Sequence, residues 1–386
     1  MIDAPTRLHP PARTPDAATL RQGYREAREA GAQRHRDIAS TLGVSEGELI
    51  AAHVGQPVPT PGRPALAATR LQAPWPALMA ALPTLGRVMA LTRNASCVHE
   101  KTGRYEQVSG EGPVGLVLGP DIDLRVFYKA WAHGFAVHEV ASADAQVSPA
   151  RSLQFFDASG TAVHKVFARP GTDLVAWDML LQHFAAPAQQ PGLLVQPAAA
   201  AEPERPDAEV DVAAFRADWA ALRDTHEFFA LLKRHRLGRV QALRLAEPRF
   251  VQPVEAGAGA AARELLQAAA QHGTPIMVFV GNPGMIQIHT GPVQRVQVLG
   301  PWLNVLDPGF NLHLREDHIA SAWVVRKPTA DGVVTSLELF DAAGETIAMF
   351  FGERKPGRPE LAAWRTITGR LVAEPGWAEE GTCAAC

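Results

Sequence analysis

The chain carries one passage twice, at a separation too long for a stacked repeat array. SLQFFDASGTAVHKVFARPGTDLVAW runs from Ser152 to Trp177, and SLELFDAAGETIAMFFGERKPGRPELAAW from Ser336 to Trp364. The serines lie 184 residues apart and the tryptophans 187, so the second copy has gained three residues. Each copy reads as an alternating strand, an Asp-Ala-x-Gly turn and a second strand. Upstream the match continues at an offset of 188, pairing Asn94 with Asn282, Gly103 with Gly291, Val108 with Val296 and residues 123–127 with 311–315. Such a period implies two related domains, each with its own sheet.

With 386 residues the chain can support two domains of ordinary size. The expected class is α+β: two tandem related domains, each with a large antiparallel sheet flanked by helices. The expected parts are a disordered N-terminus over 1–17, a first repeat domain over 18–185 that opens with helices, a Pro/Ala-rich linker over 186–210, a second repeat domain over 211–372 and a flexible tail over 373–386. In the first domain GRVMALTR, CVHEKTG, GLVLG, LRVFYKAW, GFAVHEV, SLQFFD and AVHKVFA read as strands of a meander.

The formal net charge of -3 argues against a generally basic nucleic-acid binder. Three cysteines make no disulfide scaffold, and the closing CAAC matches neither a zinc site nor a supported prenylation signal. No apolar leader or membrane-length window is evident, so a reducing cytoplasm is the expected location. RDIASTLGVSEGELIAAHVG, with Ser45 and Glu48 as a capping box, resembles a small helix-turn-helix. A DNA-binding regulator acting through residues 18–55 is therefore one functional alternative. P-loop and HExxH patterns are missing, the Gly-rich stretches VEAGAGAAA and GNPGM do not form GxGxxG, and Asp341 reads as a turn residue. His313, Arg315 and His318 do not make a three-ligand metal site.

The block DVAAFRADWAALRDTHEFFALLKRHRLGRV offers more. Phe215, Trp219, Leu222, His226, Phe229 and Leu232 recur every three or four residues, which places His226 on the apolar stripe of a helix. Alternatively Asp224 or Thr225 caps a new helix there, with His226 in its first turn. His235, beside Lys233, Arg234 and Arg236, reads as solvated. An imidazole among aromatic and leucine side chains is either a satisfied core histidine or an axial ligand for haem iron. Arg239, Lys327 and Arg354 are cations able to meet haem propionates, although each alone is also an ordinary surface charge.

TRNASCVHEKTGRYE, GPDIDLRVF, DTHEFFALLKRH, WLNVLDPGFNLHLRE, HIASAWVVRKPTADGVVTSLELFDAAGE and FFGERKPG together resemble the bacterial cytoplasmic haem-binding proteins of the hemin-degrading factor family, over about residues 20–370. The resemblance implies haem b (iron protoporphyrin IX) held against the C-terminal sheet beneath a helix. It implies His226 as proximal ligand, Arg125 as a distal arginine reaching over from the first domain, Arg239, Lys327 and Arg354 at the propionates, and Phe279, Met349 and Phe351 lining the pocket. Members often carry Gln where this chain has Met349. The implied role is to receive imported haem and deliver it onward for iron release, to a haem oxygenase or another acceptor, with contact to an inner-membrane haem importer. A monomer or weak dimer with no stable nucleic-acid partner and no catalytic residue is expected. The alternative within the same family is a haem-degrading enzyme that opens the porphyrin ring.

Overall fold

The strands do not pair within their own repeat. The computed structural model describes residues 15–110, 112–141, 149–198, 203–254, 257–355 and 357–372. Of the expected disordered start over 1–17, residues 1–14 lie outside the described residues, as does the tail over 373–386 with its CAAC, while Asp16 caps and Ala17 opens a helix. The first repeat supplies β1 (Ala65–Leu71), β2 (Gly86–Arg93), β3 (Cys97–Gly103), β4 (Val108–Ser109), β5 (Val114–Leu118), β6 (Asp123–Phe127), β7 (His133–Val140), β8 (Ala150–Phe156) and β9 (Ala162–Thr172). The second supplies β10 (Val251–Pro253), β11 (Ile276–Asn282), β12 (Met285–Gly291), β13 (Val296–Leu299), β14 (Trp302–Asp307), β15 (Phe310–Arg315), β16 (Ser321–Thr329), β17 (Gly332–Phe340) and β18 (Thr346–Gly352). Helices are α1 (Ala17–Glu29), α2 (His35–Thr41), α3 (Glu46–Ala51), α4 (Trp75–Ala81), α5 (Leu174–Phe184), α6 (Val212–Ala220), α7 (Glu227–His235), α8 (Arg239–Leu245), α9 (Ala258–His272) and α10 (Ala362–Gly369).

The chain divides into two compact units. In the smaller, α1–α3 pack on antiparallel β1, β7 and β8, with Tyr24, Ile38, Leu49, Ile50, Phe135, Val137 and Phe156 in one core. The capping box is present: Ser45 Oγ accepts from Glu48 N, and Glu48 Oε2 accepts from Ser45 N at 2.8 Å. Every residue of α3 is nevertheless buried. A recognition helix must present side chains to a groove, so the helix-turn-helix reading is corrected: this hairpin is a packed cover. Glu139 is tied down by Tyr24, His35 and Arg28, accepting from Tyr24 Oη at 2.7 Å. The linker begins fastened rather than free. Gln189 Oε1 accepts from Arg70 N at 2.8 Å, Gly192 N donates to Ala51 O at 3.0 Å, and Gln196 N donates to Ala158 O at 2.8 Å.

The larger unit holds a nine-stranded antiparallel sheet ordered β10-β16-β17-β18-β11-β12-β6-β5-β4. It also holds the run β9-β2-β3-β15-β14-β13. The expectation that each repeat closes its own sheet is therefore corrected. First-repeat β6 pairs with second-repeat β12, and second-repeat β15 pairs with first-repeat β3. The exchange keeps the repeat's register: His99 faces Leu312, and Gln287 faces Leu124. Both pairings satisfy the same backbone donors and present the same alternation, so sequence periodicity does not choose between them.

Two asparagines fix the exchange. Asn94 Nδ2 donates to Gly281 O at 3.2 Å and Ile347 O at 2.8 Å. Asn282 Nδ2 donates to Arg93 O at 2.9 Å and Val163 O at 2.8 Å. Each side-chain oxygen meanwhile accepts from its own turn: Asn94 from Ser96 N and Cys97 N, Asn282 from Gly284 N. Between the sheets Lys101 Nζ donates to His289 Nδ1 at 3.1 Å, and the His289 ring stacks on Phe310 at 3.8 Å. Gln287 Nε2 donates to Ala90 O at 3.0 Å. The same face of the nine-stranded sheet is closed further along by α9 and α10 over Val324, Leu337, Leu339 and Phe350. Trp364 Nε1 donates to Thr335 O at 2.9 Å, and a Cβ on Gly352 would sit 2.7 Å from the Trp364 ring, so only glycine admits the tryptophan there. The repeated Asp-Ala-x-Gly turns match: Asp157 Oδ1 accepts from Ser159 N and Thr161 N, Asp341 Oδ1 from Ala343 N and Glu345 N.

Asn94→Ala strips donors from two inter-repeat carbonyls and an acceptor from its own turn. Chemical denaturation should show a loss of about 2–4 kcal/mol, with a similar loss for Asn282→Ala and a double mutant falling short of the sum. Burial lowers His289 and His164 to about 3 and His53 to about 4. The unfolded imidazoles bind protons from pH 6.5 downward while the folded ones resist until about pH 3–4, so the unfolded state holds more protons in that window. Stability is expected to be full above pH 6.5 and to fall steadily as pH drops toward 4, as a pH series of melting temperatures would record.

Candidate functional site

Alternation along the nine-stranded sheet turns one residue set toward α9 and α10 and the other toward the opposite face. Across that opposite face one register row reads Trp323, Glu338, Met349, Phe279, Ile288, Asp123 and Leu118. A neighbouring row reads Val325, Ser336, Phe351, Met277 and Thr290. Phe279 and Phe351 meet edge to face at 5.0 Å, so three of the expected pocket residues, Phe279, Met349 and Phe351, share one partly exposed apolar surface.

Helices α6–α8 roof one end of this face. Trp219 Nε1 donates to Arg326 O at 3.1 Å, and Trp219 meets Phe228 at 4.8 Å, packing the helices onto Val325 and Phe340. The apolar periodicity that ran through 215–232 breaks here: α6 ends at Ala220 and α7 starts at Glu227. Placement of His226 on a continuous apolar stripe is corrected: a new helix does start here, but at Glu227, with His226 at its N-cap and not in its first turn behind Asp224 or Thr225. Asp224 Oδ1 accepts from His226 N at 2.8 Å, while Glu227 Oε2 accepts from Arg223 N and Asp224 N. His226 stands at the N-terminal end of α7 with its side chain 89% exposed. Its Nδ1 lies 2.6 Å from Asp224 Oδ1. A carboxylate on Nδ1 holds the proton there and leaves the Nε2 lone pair outward, the arrangement that orients metal-binding imidazoles. Backbone and side-chain bonds from His226 lower the Asp224 carboxyl, with the positive charge of Arg354 adding to them. Phe229, one turn on, is 75% exposed beside it.

His235 is not solvated. Its Nε2 lies 2.8 Å from Asp218 Oδ2 and its ring packs on Phe215 at 5.5 Å. Arg234 Nη1 donates to the same oxygen at 2.9 Å, a pairing that local charge alone does not reveal.

Arg239 and Lys327 converge on a carboxylate that sequence reasoning missed. Glu338 is fully buried and accepts Arg239 Nε at 2.7 Å, Arg239 Nη2 at 2.9 Å, Lys327 Nζ at 2.7 Å and Ser336 Oγ at 3.0 Å. Burial would raise the Glu338 carboxyl, but the two cations overcome it and hold the group well below the usual carboxylate range. Lys327 is 3% exposed, and burial lowers its ammonium against the pull of Glu338. The Phe228 ring covers both cations, 5.0 Å from the Arg239 guanidinium and 4.5 Å from Lys327 Nζ. Arg239 Nη2 also reaches Met349 Sδ at 3.3 Å. Arg239 is thus partly open to a ligand carboxylate, whereas Lys327 meets one only after Phe228 or Glu338 yields. The available signal for Glu338 was a charge amid SLELF, an otherwise apolar strand.

Arg125 does not reach over from a separate sheet. Its strand β6 is hydrogen-bonded directly beside β12, Arg125 facing Ile286 in register. It lies on the same sheet face as Phe279 and Met349, about 19 Å (four strand spacings) from Glu338. Its guanidinium pairs with Asp123 and donates to Leu124 O at 3.1 Å. Arg354 follows β18, near Asp224. Among the described residues no three His, Cys, Asp or Glu form a metal-holding group, and no helix is long and apolar enough to cross a membrane.

Fold and site together define a strand-exchanged, two-repeat protein with an outward imidazole, an aromatic sheet face and a partly neutralised cation pair. The chain matches the family model described as Haemin-degrading HemS.ChuX domain over residues 43–184 and 236–371, and it belongs to that family. It is 41% identical over 360 residues to the hemin transport protein HmuS of Yersinia pestis, covering 92% of this chain and 98% of that one. The structure of holo-PhuS, a heme-binding protein from Pseudomonas aeruginosa, aligns with TM-score 0.86 at 45% identity over 93% of this chain and all (100%) of that one. That of ChuS, described as an E. coli heme oxygenase, aligns with TM-score 0.78 at 37% identity, over 91% and 100% respectively.

Glu338→Ala leaves two cations facing each other in a buried site and should cost about 3–5 kcal/mol by denaturant titration. Lys327→Met should cost clearly less, because the forked Arg239–Glu338 pair stays whole.

Proposed function

We propose that this chain binds haem b as cargo in the cytoplasm, taking it after import and passing it to a haem oxygenase or another acceptor. It would act as a monomer or weak dimer, with contact to an inner-membrane importer on the supply side. The observation that carries the reading is the exposed His226 ring, bonded through Nδ1 to Asp224, at the head of the helix whose Phe228 covers Arg239 and Lys327. In this reading His226 is the axial ligand, Phe279, Met349 and Phe351 meet the macrocycle, and Arg239, Lys327 and Arg354 hold the propionates. Arg125 sits on the distal side, where its guanidinium offers hydrogen-bond donors and no acceptor. One replaceable protein ligand suits a carrier. The relatives support it: HmuS is described as a hemin transport protein and PhuS as heme-binding.

Ring opening is the second reading, favoured by the relative described as a heme oxygenase. Haem-loaded protein given a reductase and catalase separates the two. Transfer to an oxygenase with no product from this chain alone is expected; product formed despite catalase would show that it opens the ring.

Ferric haem titrated into His226→Ala should lose the native Soret position and be retained more weakly, and Asp224→Asn should weaken binding about tenfold with the same ligand in place. An unchanged spectrum and affinity in His226→Ala would remove it as the ligand. Arg239→Ala and Arg354→Ala should release haem faster while keeping the axial spectrum.

A further inference from the structure

We infer that Glu338 is an internal counter-anion that competes with the cargo's carboxylates for Arg239 and Lys327, and so sets how readily the cargo leaves. This rests on the reading that haem lies on this sheet face. Arg239 gives two of its donors to Glu338 in a fork, and Lys327 gives a third bond. Oε1 accepts from Arg239, Lys327 and Ser336, which leaves the carboxylate no room to swing away unaided. Two cations against one carboxylate leave a single net positive charge under Phe228. An arriving propionate therefore meets a cation pair already half satisfied. Its gain is the difference between binding the pair and sharing it, not the full attraction of two bare cations. The duplication argues for a function at this position. The residue matching Glu338 at the 184 offset is Gln154, and the one matching Lys327 at the 188 offset is Glu139, so this charge set belongs to the second repeat alone. Glu338 is a positioning residue: it acts on the cargo through Arg239 and Lys327.

The test follows loss of ferric haem, and of its propionate dimethyl ester, from the full chain to excess apomyoglobin. At low salt Glu338→Gln should slow haem loss roughly tenfold, the scale of one unit charge nearby in a partly screened site. The gain should shrink as salt rises, the ester's rate should not change, and the Soret band should stay in place. Should the single variant fold poorly, the same change is read on a Lys327→Met background, where Arg239 alone remains and its charge is partly solvated. Adding Glu338→Gln to Lys327→Met should again slow haem loss. Equal or faster loss on both backgrounds, while the wild type still keeps haem longer than the ester, would leave Glu338 a structural residue and overturn the proposal. Equal loss of haem and ester from the wild type would instead sink the propionate site itself, and the proposal with it.

Discussion

The reciprocal bonds of Asn94 and Asn282 hold the larger unit together. Each asparagine bridges two carbonyls of the other repeat while its oxygen closes its own turn. A side-chain amide is the smallest group that donates twice and accepts at the same position. That capacity lets two turns face each other without stranding buried carbonyls. With the turns fixed, β3 accepts β15 and β12 accepts β6 in matching register. The aromatic face, the buried charge cluster and the strand of Arg125 all hang on that pairing.

The exchange gives the site its composition. A sheet made of one repeat alone would end at β12, and Arg125 would lie elsewhere. Inserting β6 beside β12 adds the arginine to the face that carries Phe279 and Met349. Divergence then made the two faces unlike. The positions matching Phe279, Met349 and Arg125 are Leu91, Lys165 and His313. Lys165 is buried, and His313 bonds to Asn304 within its own strand pair. The same backbone frame thus carries an aromatic face in one copy and a polar one in the other, consistent with function residing in side chains grafted on a fold.

Much of this was legible in the sequence. The strands, the capping box at Ser45, the Asp-Ala-x-Gly turns and the matched tryptophans are local or periodic features, and periodicity reports them. Strand partnership is not local. DLRVF has the same alternation whether it lies on β3 or β12, so the two large antiparallel sheets were foreseen but the expectation that each repeat keeps its own strands failed, where one-dimensional pattern carries no information. His226 shows a related limit. Spacing of three and four continued through a real break, because Leu222, His226 and Phe229 happen to keep it, although Phe228 and not Phe229 is the buried ring. Glu338 was missed since a strand glutamate is ordinarily a solvated side chain, and its two partners come from 99 residues upstream and from the neighbouring strand.

A single-copy ancestor with this connectivity could not have completed its own sheets. Three strands of each copy lie in the other's sheet, so two chains would have had to fold around one another. The present polypeptide is such a pair tied end to end. Tying it frees the copies from symmetry: a substitution now changes one face and leaves its twin alone, a liberty that no homodimer has.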